Sequence, residues 1–298
     1  MATPAISYAG QVGIGASNPV NTFMEFVSCS LSKTSELAVT SGQRGKRGRD
    51  FNRARTHKYK ATGQLVLEPC VAELDALLPW LLGGATTSSV TAFTDALAKR
   101  FVTVDKVTKV MTYAECVISQ WVFEGSEGNP LRLSLDIEGQ SETEGNAASF
   151  PSLTPSFENF FIFSDLTFAV NSITCTPKSF RLTVNNNLDT ERFLNSLTRD
   201  EIPSLDRTVN LEIALPYDTV HEPLYDLGPY DAQGVAGSLV LTDATEGFSY
   251  TLALTSLKAP EPPIEVGERS ELMLNLNYQV FGDHENDDEE FTVTKAEL

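Results

Sequence analysis

Leu131–Glu138 alternates without a break. Leu131, Leu133, Leu135 and Ile137 fall on one side, and Arg132, Ser134, Asp136 and Glu138 on the other. Successive side chains of a strand point to opposite faces, so this segment predicts a strand with one dry face and one wet face. With the β-prone stretch before it, Tyr113–Gln140 reads as a strand, a polar turn and a second strand. The unit returns at Tyr250–Gly282, where Leu272, Leu274, Leu276 and Tyr278 alternate with Met273, Asn275, Asn277 and Gln279. Leu133 and Leu274 lie 141 positions apart, and Leu65 and Leu211 146. An order of strand, long loop, strand, helix, strands and closing hairpin, repeated at that lag, predicts a tandem duplication.

The remaining elements follow from the same patterning. Thr22–Leu31 is β-prone, and Thr62–Leu67 alternates with Leu65 and Leu67 on one face. Pro69–Gly84 predicts a helix. Proline suits its first position, Val71, Leu74, Leu78 and Leu81 form one stripe, and Gly83–Gly84 suits its stop. Pro79 lacks the N–H that would bond back to Asp75, so a kink or a split is expected there. Phe101–Val110 reads as a strand or hairpin. In the second half, Lys178–Val184 and Thr208–Leu215 are alternating strands, Asn185–Asp206 is a long polar loop, Val220–Leu227 a short helix and Ser238–Leu241 a strand. The first ~20 residues, with GQVGIG at Gly10–Gly15, read as a flexible arm, since that glycine run follows no strand and opens no helix. Ser141–Ser156 has linker composition. The domains expected are residues 1–145 with the arm and a basic loop, a linker over 146–156, a second unit over 157–282, and an acidic tail over 283–298. Each unit is expected to be mainly β, with one flanking helix.

Composition narrows the function. The 298 residues carry a net charge of −18, which disfavours a general nucleic-acid binder. Against that background Ser41–Lys60 holds eight of the 22 Lys and Arg and one acid, Asp50, so it is +7 and the rest of the chain −25. A basic loop in an acidic chain suits contact with a negative neighbour. No apolar run approaches the ~20 residues of a membrane span, and no secretion signal is evident at the N-terminus. Cys29, Cys70, Cys116 and Cys175 are isolated in sequence and read as reduced, buried side chains.

Catalytic signatures are missing. His57, His221 and His284 stand in no metal-binding spacing, and neither a GxSxG elbow nor a Walker loop occurs. Asp136 and Glu138 could serve a glycosidase, but alternating acids on a wet strand face are ordinary in an acidic protein. The cluster Tyr225, Asp226, Tyr230 and Asp231 could form a sugar-binding lip, or simply pack within a loop. The acidic run Asp283–Glu290 lacks the sixth-position glycine of an EF-hand. No enzyme activity, cofactor or metal is expected.

Two stretches carry a family resemblance. Tyr113-Ala-Glu-Cys-Val-Ile-Ser-Gln-Trp-Val-Phe before a polar turn, and Ser179-Phe-Arg-Leu-Thr-Val-Asn-Asn-Asn-Leu, resemble segments of the tail tube proteins of long-tailed bacteriophages. The resemblance implies a β-sandwich or half-barrel module with a helix beside it. It implies rings of six modules, hence a trimer of this two-module chain that mimics a hexamer, stacked into a siphophage-like virion tube through which DNA enters the host. The loop after the first long strand typically reaches the adjacent ring, which maps onto Gly42–Thr56, with Arg44, Lys46, Arg47, Arg49, Arg53 and Arg55, and onto Asn187–Leu205. Asp136, Glu138 and Glu212 become candidates for the channel wall, where negative potential keeps phosphate from sticking. Implied partners are further copies of the chain, the tape measure and the tail terminator, with assembly in the host cytoplasm and no membrane. The alternative is a tandem β-sandwich that binds carbohydrate on a tail or cell surface.

Overall fold

The computed structural model describes residues 9–42, 45, 48, 51–87, 89–225, 234–260, 271–283 and 289–298. The first half contains β1 (Gln11–Gly15), β2 (Thr22–Met24), β3 (Ser28–Cys29), β4 (Ser32–Val39), β5 (Ala54–Leu67), α1 (Val71–Leu82), β6 (Val90–Ala92), β7 (Arg100–Asp105), β8 (Lys109–Ser126), β9 (Arg132–Gly139) and β10 (Ser141–Asn146). The second contains β11 (Leu166–Val170), β12 (Ile173–Cys175), β13 (Ser179–Asn185), β14 (Thr208–Pro216), β15 (Val235–Asp243), β16 (Phe248–Lys258), β17 (Met273–Phe281) and β18 (Phe291–Glu297). The fold is mainly β, as the alternating pattern predicts.

The strand pairings form one long antiparallel sheet in the order β4–β5–β9–β8–β13–β14–β17–β16. Its 18-residue strand β8 serves two layers. The C-terminal part of β8 lies between β9 and β13, and its N-terminal part between β7 and β10. β1 then adds to β7, and β2 to β1. β16 repeats this arrangement: its N-terminal part lies between β15 and β18, β11 adds to β15, and β12 to β11. The closing hairpin of the second half is therefore splayed. β16 and β17 pair only over Ser256–Lys258, whereas β8 and β9 pair from Val117 to Glu124.

The dry face of the long sheet is built by the alternating residues. Leu133, Leu135 and Ile137 of β9, Leu211, Ile213 and Leu215 of β14, and Leu274, Leu276 and Tyr278 of β17 are all buried. Each aliphatic side chain among them contributes about 1.5–3 kcal/mol by leaving water. α1 lies over this face beside Trp121, Phe123 and Leu133, and also meets Leu241, Tyr250 and Phe291 from the second half, so both halves share one core. Trp80 of α1 donates to the Cys116 carbonyl at 3.1 Å, and Tyr250 donates to Asp75 at 2.8 Å. Pro79 does not split α1, which runs unbroken to Leu82 and stops at Gly83, φ +82°. A Cβ there would meet the Ala96 carbonyl oxygen at 2.6 Å, so this left-handed stop requires glycine.

Several expectations are corrected. Gln11–Gly15 is not an arm but a strand paired on both sides, with Val12 and Ile14 buried. Its glycines hide it: a Cβ on Gly13 would collide with Leu153 and Val20. Ser141–Asn146, expected in a linker, pairs with β8 as β10; an edge strand needs no apolar face. Phe291–Glu297 is not a solvated tail. Phe291 and Val293 are buried and the strand lies between β16 and β6. Arg207 fastens its start, bonding Glu289 at 2.9 Å and Glu290 at 2.5 Å while its guanidinium stacks 3.8 Å from the Phe93 ring centre. The basic stretch is also less of a loop than expected, because Ala54–Lys60 belongs to β5. Val220–Leu227 yields helical residues at 222–225 among those described.

Candidate functional site

The wet face of the long sheet is largely polar, with Val122 buried within it. Strand register places its side chains in rows across five strands. Arg132, Glu124, Arg181, Glu212 and Asn277 form one row, in which positive and negative groups alternate. Arg181 lies 3.9 Å from Glu124, and Arg132 lies 3.1 Å from Glu68. Ser134, Val122, Thr183, Asn210 and Gln279 form the next row, and Gln64, Asp136, Gln120, Asn185 and Thr208 another. A concavity of about 700 Å³ lies over the first row, lined by Glu124, Arg132, Arg181, Glu212, Asn275 and Asn277.

The three acids singled out from sequence do not share one environment. Asp136 stays on the wet face and accepts a hydrogen bond from Gln64 Nε2 at 3.0 Å. Glu212 is exposed, between Arg181 and Asn277 in register. Glu138 is occupied: Arg199 reaches it from the loop between β13 and β14 at 2.5 Å, with Arg199 only 2% exposed and Glu138 19%. A carboxylate covered in this way anchors a loop. Glu124 and Arg181 complete the face, and sequence reasoning passes over both. Recognising them requires the β8–β13 pairing, which joins residues far apart in the chain.

The same loop closes over part of the basic segment. Its Glu191 pairs with Lys58 at 2.6 Å and also with Lys60, and these lysines hold the Glu191 carboxyl down to about 2. Lys60 also lies 3.3 Å from Glu36. The Tyr59 N–H donates to the Leu197 carbonyl at 2.7 Å, and Gln140 donates to the Asp200 carbonyl at 2.6 Å. Residues 187–205, which the resemblance directs toward an adjacent ring, thus rest on β5 and β9 of their own chain. Of the basic tip, Arg53 and Arg55 are exposed. Arg44, Lys46, Arg47 and Arg49 lie outside the described residues, as do Asp226, Tyr230, Asp231 and His284.

No chemistry gathers elsewhere among the described residues. Cys29, Cys70, Cys116 and Cys175 are free, and burial pushes the thiols of Cys70 and Cys175 up to about 11 and that of Cys116 to about 12. His221 is buried, its Nδ1 3.0 Å from the Pro216 carbonyl and 2.9 Å from Asp218. Among the described residues, no group of His, Cys, Asp and Glu could hold a metal ion, and no helix is long and apolar enough to cross a membrane.

The class that the fold defines is a mainly β protein with an extended polar sheet face. A family model described as phage tail tube protein matches residues 4–280, and the chain belongs to that family. It is thereby a structural component of the virion tail that assembles with its own kind and with other tail proteins. No curated protein matches the chain.

Proposed function

We propose that copies of this chain close into rings, that the rings stack into the tail tube, and that the wet face of the long sheet is the wall of the DNA channel. The observation that carries this reading is the strand order. β4–β5–β9–β8 recurs as β13–β14–β17–β16, and the two sets meet at the β8–β13 pairing, so one continuous wet face spans both. Two modules per chain, the second extending through β18, supply six modules from three chains, a trimer with hexameric repeat. The edge of β4 and that of β17 before Gln279, which have no second strand among the described residues, supply the seams, since an unpaired strand edge seeks a partner and a closed ring leaves none.

The electrostatics of the face suit passage of DNA. Among the described residues of the six strands from β5 to β17, the wet face between Thr62 and Gln279 carries Glu124, Asp136, Glu138 and Glu212 against Arg132 and Arg181. Each arginine has a carboxylate neighbour, which lowers its attraction for a passing phosphate. Asp136 and Glu212 face the lumen in this reading, and Glu138 fixes a loop. The basic tip with Arg44, Lys46, Arg47, Arg49, Arg53 and Arg55 meets acidic surface of the adjacent ring and sets its register. Tape-measure and terminator proteins would occupy the lumen and the tube end of a non-contractile, siphophage-type tail, assembled in the host cytoplasm.

Negative-stain microscopy and sedimentation of the purified chain test the reading. The expected species are rings of three chains and tubes built from them. A chain that stays monomeric at high concentration across a range of salt would overturn it.

A further inference from the structure

Exposed apolar side chains stand at opposite ends of the long sheet. At one end, the crossover between the halves presents Phe157, which is 90% exposed, with Phe160 and Ile162. This end is fixed by register: Phe160 bridges to Cys70 just before α1, and Ile162 to Pro130 in the β8–β9 turn. The presentation is rigid. Phe161 is buried and its N–H donates to the Pro69 carbonyl at 3.1 Å, while its carbonyl accepts from Leu131 N–H at 2.9 Å. Phe163 N–H donates to the Asn129 carbonyl at 3.1 Å, and the Ile162 N–H to Asp165 at 2.9 Å. Alternation then forces Phe160 and Ile162 outward.

At the other end, the β13–β14 loop leaves Leu194, Leu197 and Leu205 exposed. That loop departs where Asn185 pairs with Gln120, while Ser179 pairs with Ser126 at the Phe160 end. Arg199 and Glu191 hold it in place. The segments that carry these side chains are held by contacts within their own chain, with Leu197 bonded to β5 and Leu205 to Asn187.

We infer that the Phe157–Phe160–Ile162 surface of one copy seats the Leu194–Leu197–Leu205 surface of a copy in the next ring, an inference that rests on the tube reading. The two surfaces differ and sit at opposite ends of the same strands, so the contact is head-to-tail and repeats into a filament. The area is sufficient. The aromatic end offers roughly 300–400 Å² and the leucine end a similar amount, taking ~150–250 Å² for a fully exposed large side chain. Each contact buries roughly 600–800 Å², small for a lone pair of chains, and the three between two rings act together over on the order of 2,000 Å². Apolar burial supplies cohesion between acidic rings, and the basic tip supplies register.

The test is a pair of serine variants, Phe157→Ser/Phe160→Ser/Ile162→Ser and Leu194→Ser/Leu197→Ser/Leu205→Ser. All six positions are exposed or half-exposed, and circular dichroism checks that folding is unchanged. Each set is expected to form rings of wild-type mass while raising the concentration needed for tube growth about tenfold or more. In addition, Ile162→Cys with Leu197→Cys should give, on mild oxidation, a ladder of single-chain multiples that runs beyond three chains on non-reducing gels. Wild-type tube growth in either set, or a disulfide confined within single rings, overturns the contact and leaves the ring reading standing. A wild-type chain that forms no rings overturns both.

Discussion

Arg199→Met should loosen one loop and measurably destabilise the fold. Arg199 is almost wholly buried and binds Glu138 at 2.5 Å, with a second contact to the Gly139 carbonyl at 3.4 Å. Breaking a buried ion pair by removing one partner costs roughly 3–5 kcal/mol, because the other charge is stranded. Glu138 retains 19% exposure, so water can recover part of that loss. A net of about 2–3 kcal/mol follows, in line with a charge-assisted hydrogen bond. For a chain of this size that corresponds to a fall in melting temperature of roughly 3–5 °C. Glu138→Gln should cost at least as much, since it leaves the guanidinium buried with its Nε already lacking a partner. The double variant Arg199→Met/Glu138→Gln should be less damaged than the sum of the singles, by about 0.5–3 kcal/mol. Thermal unfolding of the unassembled chain gives the stabilities, and hydrogen exchange over residues 186–207 locates the change. Additive losses, or unchanged exchange in the loop, would refute the anchor.

Other outcomes follow from individual residues. The Glu191 carboxyl is held down to about 2 by Lys58 and Lys60, so its folded value lies below the unfolded one. Its contribution to holding the loop is therefore complete above roughly pH 4.5 and lost as pH falls toward 2, and pepsin cleavage within 186–207 should rise over that window. Gly83→Ala puts a Cβ on a left-handed residue 2.6 Å from the Ala96 carbonyl oxygen, and should cost roughly 1–3 kcal/mol in urea unfolding. With thiols raised by burial, Cys70, Cys116 and Cys175 should react with a disulfide reagent at pH 8 only after denaturant is added. Asp136→Lys/Glu212→Lys should leave circular dichroism unchanged but make assembled tubes retain double-stranded DNA at low salt, read by filter binding. Retention no greater than wild type would remove the wall role of these residues.

The alternating strands are legible in the sequence because each buries one face and wets the other. The spacing of Leu133, Leu135 and Ile137 defines both the strand and the side it buries. α1 is legible for the same reason, down to its glycine stop. Elements that are short, glycine-rich or polar on both faces are not. β1 carries two large apolar residues between glycines, and β10 none, so neither shows a period of two above its surroundings. β18 does alternate, Phe291-Thr-Val-Thr, but the acidic run ahead of it masks the pattern. The face proposed as the channel wall is half legible: Asp136 and Glu212 sit on visible wet sides. That Glu138 is capped by Arg199, or that Arg181 stands beside Glu124, depends on pairings between distant segments, which local periodicity does not encode.

β8 gives the molecule a mechanical character. One unbroken run of 18 residues is laced into the outer layer at one end and into the long sheet at the other. A pull along that strand loads its hydrogen bonds in shear, so rungs must give together rather than peel one by one. Since β8 also joins the two halves through β13, neither half can be stretched without drawing on the other. A filament of such subunits would bend as a stiff spring, because the seam at the middle of each subunit is a strand pairing of the same kind as those within its halves.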